Sequence, residues 1–374
     1  MTRPKRVSAG SPHTNPPPMG EGVLRDFPSP EGEGQGGVSF PSHLASLPVN
    51  YPRRAAMRIL TAAALSILLS TAALADSLLV VNKGEDTLAI VDSETLEVTA
   101  RVAVGANPHE VAVSPDGTTA YVSDYGGAQG TTISVVDVAS ATRTDVWDVA
   151  PNRGPHGIWL SSDGTVLWVT TETSGTVIEI DTGSGEVTQV WESGQNVSHQ
   201  LVPTPDGEVL YVANIGSGSV TVIDRGDNSV VSIPTGAGAE GIDASPDGRE
   251  IWVTNRAADT VSIIDTASDT VIADINSGGA FPIRARFTPD GNEVYVSNAN
   301  SGDVAVFDAA TRELLTTIDV GAVPIGIVMS ADGARAFIAN TADDFVTVID
   351  TATREVIQRI ETGDEPDGMA WAVE

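Results

Sequence analysis

A tight-turn motif recurs along the chain and constrains its fold more than any other feature. Each copy ends in Asp-Gly, mostly after a proline, and this pairing favours chain reversal because Pro presets φ and Gly accepts left-handed backbone angles. Successive Asp-Gly pairs are 47, 43, 41, 43 and 42 residues apart. Their aspartates are Asp116, Asp163, Asp206, Asp247, Asp290 and Asp332. Such regular spacing indicates an internal structural repeat.

Two strand-like runs recur in each unit. The first run is rich in aromatic and β-branched residues and covers 78–82, 120–124, 167–171, 210–214, 251–255, 294–298 and 336–340. The second run ends in Asp and covers 88–92, 133–137, 177–181, 220–224, 261–265, 304–308 and 346–350. Neither run has a helical period, and the terminal aspartates are expected to cap turns. Seven units of four short strands predict an all-β fold, a seven-bladed β-propeller.

The two ends of the repeat series are out of phase with the other units. Residues 78–82 have no inner strand before them, whereas residues 368–374 match the inner-strand pattern of residues 111–115 but stop before a turn. We therefore expect the N-terminal and C-terminal strands to complete one blade and close the ring. Closure would hide the sheet edges that otherwise invite pairing with another chain.

The repeat strings carry a family resemblance. IWVTN, LYVAN and VYVSN, followed by VSIID or VTVID and by an SPDG turn, resemble the YVTN-repeat β-propeller family over residues 78–374. Members of that family are commonly seven-bladed and exported, so the resemblance implies the same fold and export for this chain. It implies no particular activity, because one fold hosts many functions.

A secretory signal peptide is predicted before the first strand. A basic segment at 53–58 precedes an apolar, Ala-rich stretch at 59–74, and Ala-Leu-Ala at 73–75 fits the small-residue cleavage rule. Residues 57–75 are therefore interpreted as a signal peptide that directs the mature chain to the periplasm. A membrane anchor is the alternative, but the apolar stretch is short for a span.

Three segments follow from this interpretation. Residues 1–56 are rich in Pro, Gly and Ser and are interpreted as a non-native or disordered extension, so translation is expected to begin at Met57. Residues 57–75 form the signal peptide, and residues 76–374 form the propeller. The mature chain is expected to be a soluble monomer without a membrane anchor.

Composition excludes several classes of function. The chain has no cysteine, which rules out disulfides, thiolate metal ligands and a cysteine nucleophile. Residues 76–374 hold 13 basic and 46 acidic residues, a net charge of −33 with histidine neutral. This charge repels nucleic-acid phosphates and anionic lipids, so no nucleic acid is an expected partner. The acidity favours solubility, and the alternative is attraction of cations or of a basic redox partner.

A candidate site emerges when the inner strands are aligned seven residues before each turn aspartate. Around the ring the aligned residues are Asp367, His109, His156, His199, Glu240, Ile283 and Ile325. Inner strands line a propeller's axis, so these side chains are expected to form one layer at a channel mouth. Neutral imidazoles and carboxylates are ligands for zinc, iron, copper or manganese. We therefore predict a divalent metal or small polar ligand held by His109, His156, His199, Glu240 and Asp367.

The alternative is that these side chains only cap turns or bind water. Arg284 is the only cation at its own ring position and is expected to meet an anionic substrate or Glu240. One layer deeper, Asp243 and Arg286 are expected to form an ion pair in the channel wall.

Three functions remain open at this level. The first is a periplasmic binding or scaffold protein that holds a metal or small ligand at the channel mouth. The second is a metal-assisted hydrolase or lyase resembling propeller lactonases, with Glu240 or Asp367 as general base and Arg284 steadying a carboxylate. The third is a metal-free interaction module of a periplasmic redox system, with its protein partner contacting the longer loops at 125–131 and 150–155.

Overall fold

The structure is a computed structural model that describes residues 76–373, and these form seven antiparallel sheets of four strands each. The predicted extension and signal peptide at 1–75 lie outside the described residues. Within residues 76–373, no helix is long and apolar enough to cross a membrane. The arrangement confirms the predicted all-β, seven-bladed propeller.

Each blade is built from an inner, a second, a third and an outer strand, numbered here in chain order. The inner strands are β4 (Pro108–Val113), β8 (Pro155–Leu160), β12 (Ser198–Pro203), β16 (Ala239–Ala244), β20 (Pro282–Phe287), β24 (Pro324–Met329) and β28 (Pro366–Ala372). The second strands are β1 (Ser77–Asn82), β5 (Thr119–Asp124), β9 (Val166–Thr171), β13 (Val209–Asn214), β17 (Glu250–Asn255), β21 (Glu293–Asn298) and β25 (Arg335–Asn340). The third strands are β2 (Thr87–Asp92), β6 (Thr132–Asp137), β10 (Thr176–Asp181), β14 (Ser219–Asp224), β18 (Thr260–Asp265), β22 (Asp303–Asp308) and β26 (Phe345–Asp350). The outer strands are β3 (Val98–Ala103), β7 (Thr142–Asp148), β11 (Val187–Glu192), β15 (Ser229–Pro234), β19 (Thr270–Asn276), β23 (Leu314–Asp319) and β27 (Glu355–Ile360).

Both sets of predicted runs are strands in the structure. Each observed strand starts one residue before its predicted run and ends on the predicted residue. The second strands are almost wholly buried, whereas most outer strands alternate between buried or half-buried and exposed positions. This gradient follows from the propeller, because the second strand is covered on both faces by neighbouring blades and the outer strand borders solvent.

The predicted capping role of the third-strand aspartates is confirmed. Asp92 accepts hydrogen bonds from the backbone N–H groups of Glu94 and Thr95, and equivalent bonds form at the other six positions. These bonds satisfy turn donors that would otherwise have no partner.

The last residue of the second strands is a structural anchor. Asn255 accepts a hydrogen bond from Gly236 N–H and donates to the hydroxyls of Thr260 and Ser262. The Asn of the YVTN-type string is therefore buried to tie the second strand to the third strand and to the preceding loop.

Ring closure joins the two ends of the described chain. β28 pairs antiparallel with β1, and the sheet order is β28-β1-β2-β3. The indole N–H of Trp371 donates to the Asp76 carboxylate at 3.0 Å. The predicted closure is confirmed, and it brings a C-terminal inner strand to the same mouth as the loop after β1.

The apolar core lies between adjacent blades. One cluster joins Leu78 and Val80 of β1 to Phe337 of β25 and Val346 of β26. Further clusters of this kind fill the spaces between other neighbouring blades, so each blade is stabilised by its neighbours.

Candidate functional site

The predicted ring residues occupy equivalent places at one mouth of the channel. Each is the second residue of an inner strand, so all seven enter at the same height. They line a cavity of about 210 Å³. Its remaining walls come from Lys83, Glu110, Gln200, Arg256 and Arg284.

The three imidazoles stack along this wall. Ring centroids are 4.5 Å apart for His109 and His156 and 3.9 Å apart for His156 and His199, with the planes tilted by 45° and 35°. Tyr125, from the loop after β5, packs edge-on against His109 at 4.6 Å. The sequence alignment therefore brought together the right histidines, but their rings pack against one another.

His156 lies at the centre of the stack and is 3% exposed. Its Nδ1 has no hydrogen-bond partner. Burial lowers the pKa of His156 well below its ordinary value, and positive charge at His199 adds to this effect. His156 is consequently a neutral imidazole at neutral pH, with a buried nitrogen that makes no hydrogen bond.

His199 has the opposite protonation preference. Burial alone would lower its pKa, but the hydrogen bond to Glu172 and the negative charges of Glu240 and Glu172 outweigh burial and raise it. His199 Nδ1 lies 2.8 Å from Glu172 Oε1, and Tyr125 donates its hydroxyl proton to the other oxygen of Glu172. His199 Nε2 lies 3.5 Å from Glu240 Oε1. Glu172 therefore favours the charged form of His199 and fixes its ring.

The contact between Glu172 and Tyr125 shifts the pKa of both side chains. Burial acts to raise the pKa of Glu172, but its hydrogen bonds to His199 and Tyr125 lower it overall. Burial, together with the Glu172 contact, raises the pKa of Tyr125 and keeps its phenol protonated.

The ring carboxylates are held in ion pairs. Asp367 Oδ2 lies 3.3 Å from Lys83 Nζ and 3.1 Å from His109 Nδ1. Although burial opposes ionisation, the Lys83 charge and the His109 hydrogen bond hold the pKa of Asp367 far below its ordinary value. Glu240 Oε2 meets Arg256 Nη1 at 2.8 Å, as an ion pair without hydrogen-bond geometry.

A polar septum forms the floor of the cavity. Glu110, Gln200 and Arg284 extend from three alternate inner strands, and Glu110 Oε1 accepts from Arg284 Nη2 at 2.5 Å and from Gln200 Nε2 at 2.6 Å. Arg284 was expected to meet an anionic substrate or Glu240, and the structure instead pairs it directly with Glu110. The intervening strand β8 carries Gly157 at this height, where a Cβ would lie only 2.4 Å from the His199 carbonyl oxygen.

A second cavity of about 370 Å³ lies on the other side of the septum. Here Asp243 Oδ1 and Arg286 Nη1 are 3.4 Å apart, which confirms the predicted ion pair. Burial raises the pKa of Asp243 despite this pairing. The Arg286 guanidinium lies over the Trp159 ring at 5.6 Å. This mouth is mostly apolar and lacks the acid-base cluster of the first.

The metal prediction stays a prediction. Within residues 76–373, no group of three or more histidine, aspartate or glutamate side chains has an arrangement that could hold a metal ion. Stacking turns the imidazoles toward one another, and Lys83 and Arg256 already pair with the two carboxylates. Metal binding at these five residues would require both the ion pairs and the stack to rearrange.

Sequence reasoning overlooked a second ring of site residues. Lys83, Tyr125, Glu172 and Arg256 each follow directly after a second strand. That position lies next to the inner-strand ring because the second strand runs antiparallel to the inner strand. An alignment on the residue after the YVTN-type string would have found all four.

Comparison with known proteins places this architecture in a family. The family profile described as lactonase, seven-bladed β-propeller, matches residues 80–328. The chain belongs to the seven-bladed β-propeller lactonase family. Among curated proteins, this lactonase-family propeller has no match.

Solved structures share the fold of this lactonase-family propeller. A functionally unknown protein from Desulfotomaculum acetoxidans superposes with a TM-score of 0.70 at 14% identity, covering 80% of this chain and 99% of its own. Hydrazine synthase from Kuenenia stuttgartiensis gives 0.60 at 22% identity, covering 70% and 88%. The dihydro-heme d1 dehydrogenase NirN in complex with DHE gives 0.59 at 17% identity, covering 79% and 74%. At these identities the likeness concerns the fold alone.

Proposed function

We propose that this lactonase-family propeller hydrolyses a small lactone in the 210 Å³ mouth cavity, with His156 as general base. The observation that carries the proposal is the His156 ring, which lines this cavity and makes no hydrogen bond, whereas the charged groups around it are paired. His156 is neutral at neutral pH and therefore has a lone pair that can accept a proton, and burial makes it a weaker base than a free imidazole. Membership of the lactonase family supports the choice of reaction.

The neighbouring histidine supplies the complementary acid. As water attacks the lactone carbonyl carbon, the His156 imidazole accepts a proton from it, and the charged His199 donates from Nε2 to the carbonyl oxygen, where negative charge develops. The ring C–O bond then breaks as His156 passes its proton to the ring oxygen, which becomes the hydroxyl of the product, and His199 takes its proton back from the former carbonyl oxygen. Lactone and water give one hydroxy acid, without oxidation or reduction.

His156 replaces the carboxylates as the base for a physical reason. Asp367 is held ionised by Lys83, and Glu240 is paired with Arg256. A carboxylate stabilised by a cation is a weak base. Glu240 instead helps to keep His199 charged, from 3.5 Å away.

The proposal also covers the type of family member and its location in the cell. We infer that the protein is a YVTN-type member of its family and that it works in the periplasm after removal of residues 57–75. The signal-peptide pattern at 57–75 supports export.

A second candidate is ligand binding without turnover. The observation that favours it is that His156 is the one ring histidine without a polar contact among the described residues, so its ring is free to contact a ligand. The charged groups around His156 already pair with one another. Binding of a divalent metal at the ring has less support, because its carboxylates already pair with Lys83 and Arg256.

Lactone hydrolysis by the protein expressed from Met57 tests the proposal. We expect acid release from five- and six-membered lactones, and a loss of kcat/KM by about 10²- to 10⁴-fold in His156→Gln, the size of a general-base contribution. Arg249→Gln, on a fully exposed turn, is the control. Activity that survives in His156→Gln would contradict the assignment, and bound lactone without turnover would favour the binding protein. Activity that is lost with a chelator and restored by zinc would support a metal-assisted hydrolase instead.

A further inference from the structure

The charges that line the mouth cavity cancel. Three cations and three carboxylates face it, and each cation has its own carboxylate partner. The N–O distances are 3.3 Å for Lys83 and Asp367, 2.8 Å for Arg256 and Glu240, and 2.5 Å for Arg284 and Glu110. In the fourth pair, the charged His199 ring lines the cavity and its partner Glu172 lies outside the lining, 2.8 Å from His199, so this pair also carries no net charge.

Balanced pairs penalise a charged ligand. A phosphate or carboxylate in the cavity would lie close to three carboxylates as well as to three cations, so it would lose its hydration without a net electrostatic gain. A single unpaired charge at contact distance would attract or repel a charged ligand strongly inside the protein, so the balance matters. A neutral polar molecule escapes this cost.

The charge of the whole molecule acts in the same direction. Residues 76–374 carry a net charge of −33 with histidine neutral. Such a field lowers the local concentration of anions and slows their approach. It has little effect on a neutral molecule.

The volume of the cavity sets the size of the ligand. A space of about 210 Å³ is larger than the engineered protein cavity of about 150 Å³ that binds benzene. That is room for one five- or six-membered ring with short substituents, deep enough to reach His156.

We propose that the substrate is an uncharged monocyclic lactone, without a phosphate or carboxylate substituent, selected because the four ion pairs leave the mouth cavity with no net charge. This proposal rests on the lactone hydrolysis proposed above. It also accounts for turnover: ring opening creates a carboxylate inside a cavity that offers it no excess positive charge, so the product leaves readily.

A matched pair of lactones tests the charge rule. We would compare kcat/KM for a neutral six-membered hydroxylated lactone and for the same ring bearing a carboxylate. The wild-type protein should prefer the neutral lactone by at least 100-fold. A preference for the carboxylate-bearing lactone, or equal rates, would overturn the inference while leaving lactone hydrolysis standing.

Two variants change the net charge of the mouth cavity in opposite directions. Glu240→Gln leaves Arg256 unpaired and should shift the preference toward the carboxylate-bearing lactone by tenfold or more. Arg256→Gln removes one cation and leaves Glu240 with His199 as its remaining charged neighbour, so the preference should shift the other way, whereas Arg249→Gln should leave it unchanged. The ratio of the two substrates is the readout, so a general loss of activity does not obscure it. An unchanged ratio in both variants would overturn the inference.

Calorimetry separates this inference from the proposed reaction. If neither lactone is hydrolysed, the reaction proposal fails, and the affinities of the same two lactones decide the charge rule. Tighter binding of the neutral lactone supports an uncharged ligand. Tighter binding of the carboxylate-bearing lactone, or binding of neither, overturns it.

Discussion

His156 and His199 show how two identical side chains acquire opposite proton affinities. Both are buried, and their rings are 3.9 Å apart. Glu172 contacts only one of them, and that single hydrogen bond at 2.8 Å decides which imidazole carries the charge. An isolated sequence repeat cannot reveal this difference, because Glu172 comes from a neighbouring blade.

Replacing Glu172 by Gln should lower the pKa of His199. The amide keeps a hydrogen-bonding group in place but removes the negative charge that stabilises imidazolium. In protein expressed from Met57, only His109, His156 and His199 are present, so ring resonances can be followed by NMR against pH. His199 should titrate above its ordinary value in the wild type and at a lower pH in Glu172→Gln.

Stability should follow the same linkage. The folded pKa of His199 is raised, so its stabilising contribution is present below the ordinary pKa and is lost as pH rises through the folded value. The melting-temperature deficit of Glu172→Gln should therefore be larger near pH 5.5 than near pH 8. Glu186→Gln, in an exposed turn, is the control. Identical His199 titrations in wild type and variant would refute the role of Glu172.

At the scale of elements, strand positions were predictable and site contacts were only partly so. Turn chemistry and period fixed the second and third strands to within one residue, because Asp-Gly turns and β-branched runs are local signals. The inner-strand ring was also found by alignment. Partners that cross between blades were missed, since Arg284 reaches Glu110 over 174 positions of sequence.

The approach of neighbouring inner strands depends on glycine. A Cβ at Gly157 of β8 would lie 2.4 Å from the His199 carbonyl oxygen, which the Thr170 hydroxyl also holds at 2.5 Å. Gly157→Ala should therefore push β8 from β12 and destabilise the protein by about 1–3 kcal/mol, the usual cost of overpacking. The melting temperature should fall by roughly 2–10 °C.

Gly183→Ala is the matched control for that prediction. Its Cβ would lie 3.4 Å from an Asp181 oxygen, an ordinary contact. The change in stability should stay within about 0.5 kcal/mol, as for most surface substitutions. Equal melting temperatures for the two alanine variants would show that close strand approach at Gly157 is unimportant.

At the scale of the whole molecule, ring closure links stability to the site. β28 completes the sheet of β1 and also carries Asp367, which pairs with Lys83 from the loop after β1. This closure was predictable because the repeat is out of phase at its ends. The balance of charges inside the cavity was not, because the three ion pairs named above draw side chains from four different blades.

Deleting residues 367–374 should open the ring. The deletion removes the buried Met369, Ala370 and Ala372 and leaves β1 with a free edge. Loss of these apolar contacts should cost about 5 kcal/mol and lower the melting temperature by roughly 10 °C or more. Removal of residues 373–374 alone is the control. A full deletion that melts with the wild type would contradict closure as a source of stability.

The septum has a consequence for any molecule that enters the mouth cavity. Glu110, Gln200 and Arg284 meet across the axis and contribute to the walls of both cavities. The septum therefore divides the channel into two pockets, each closed at the septum. A molecule must enter and leave the mouth cavity through the same opening. Under the proposed reaction, the hydroxy acid must leave through this opening before the next lactone can enter, so entry and exit alternate in every turnover.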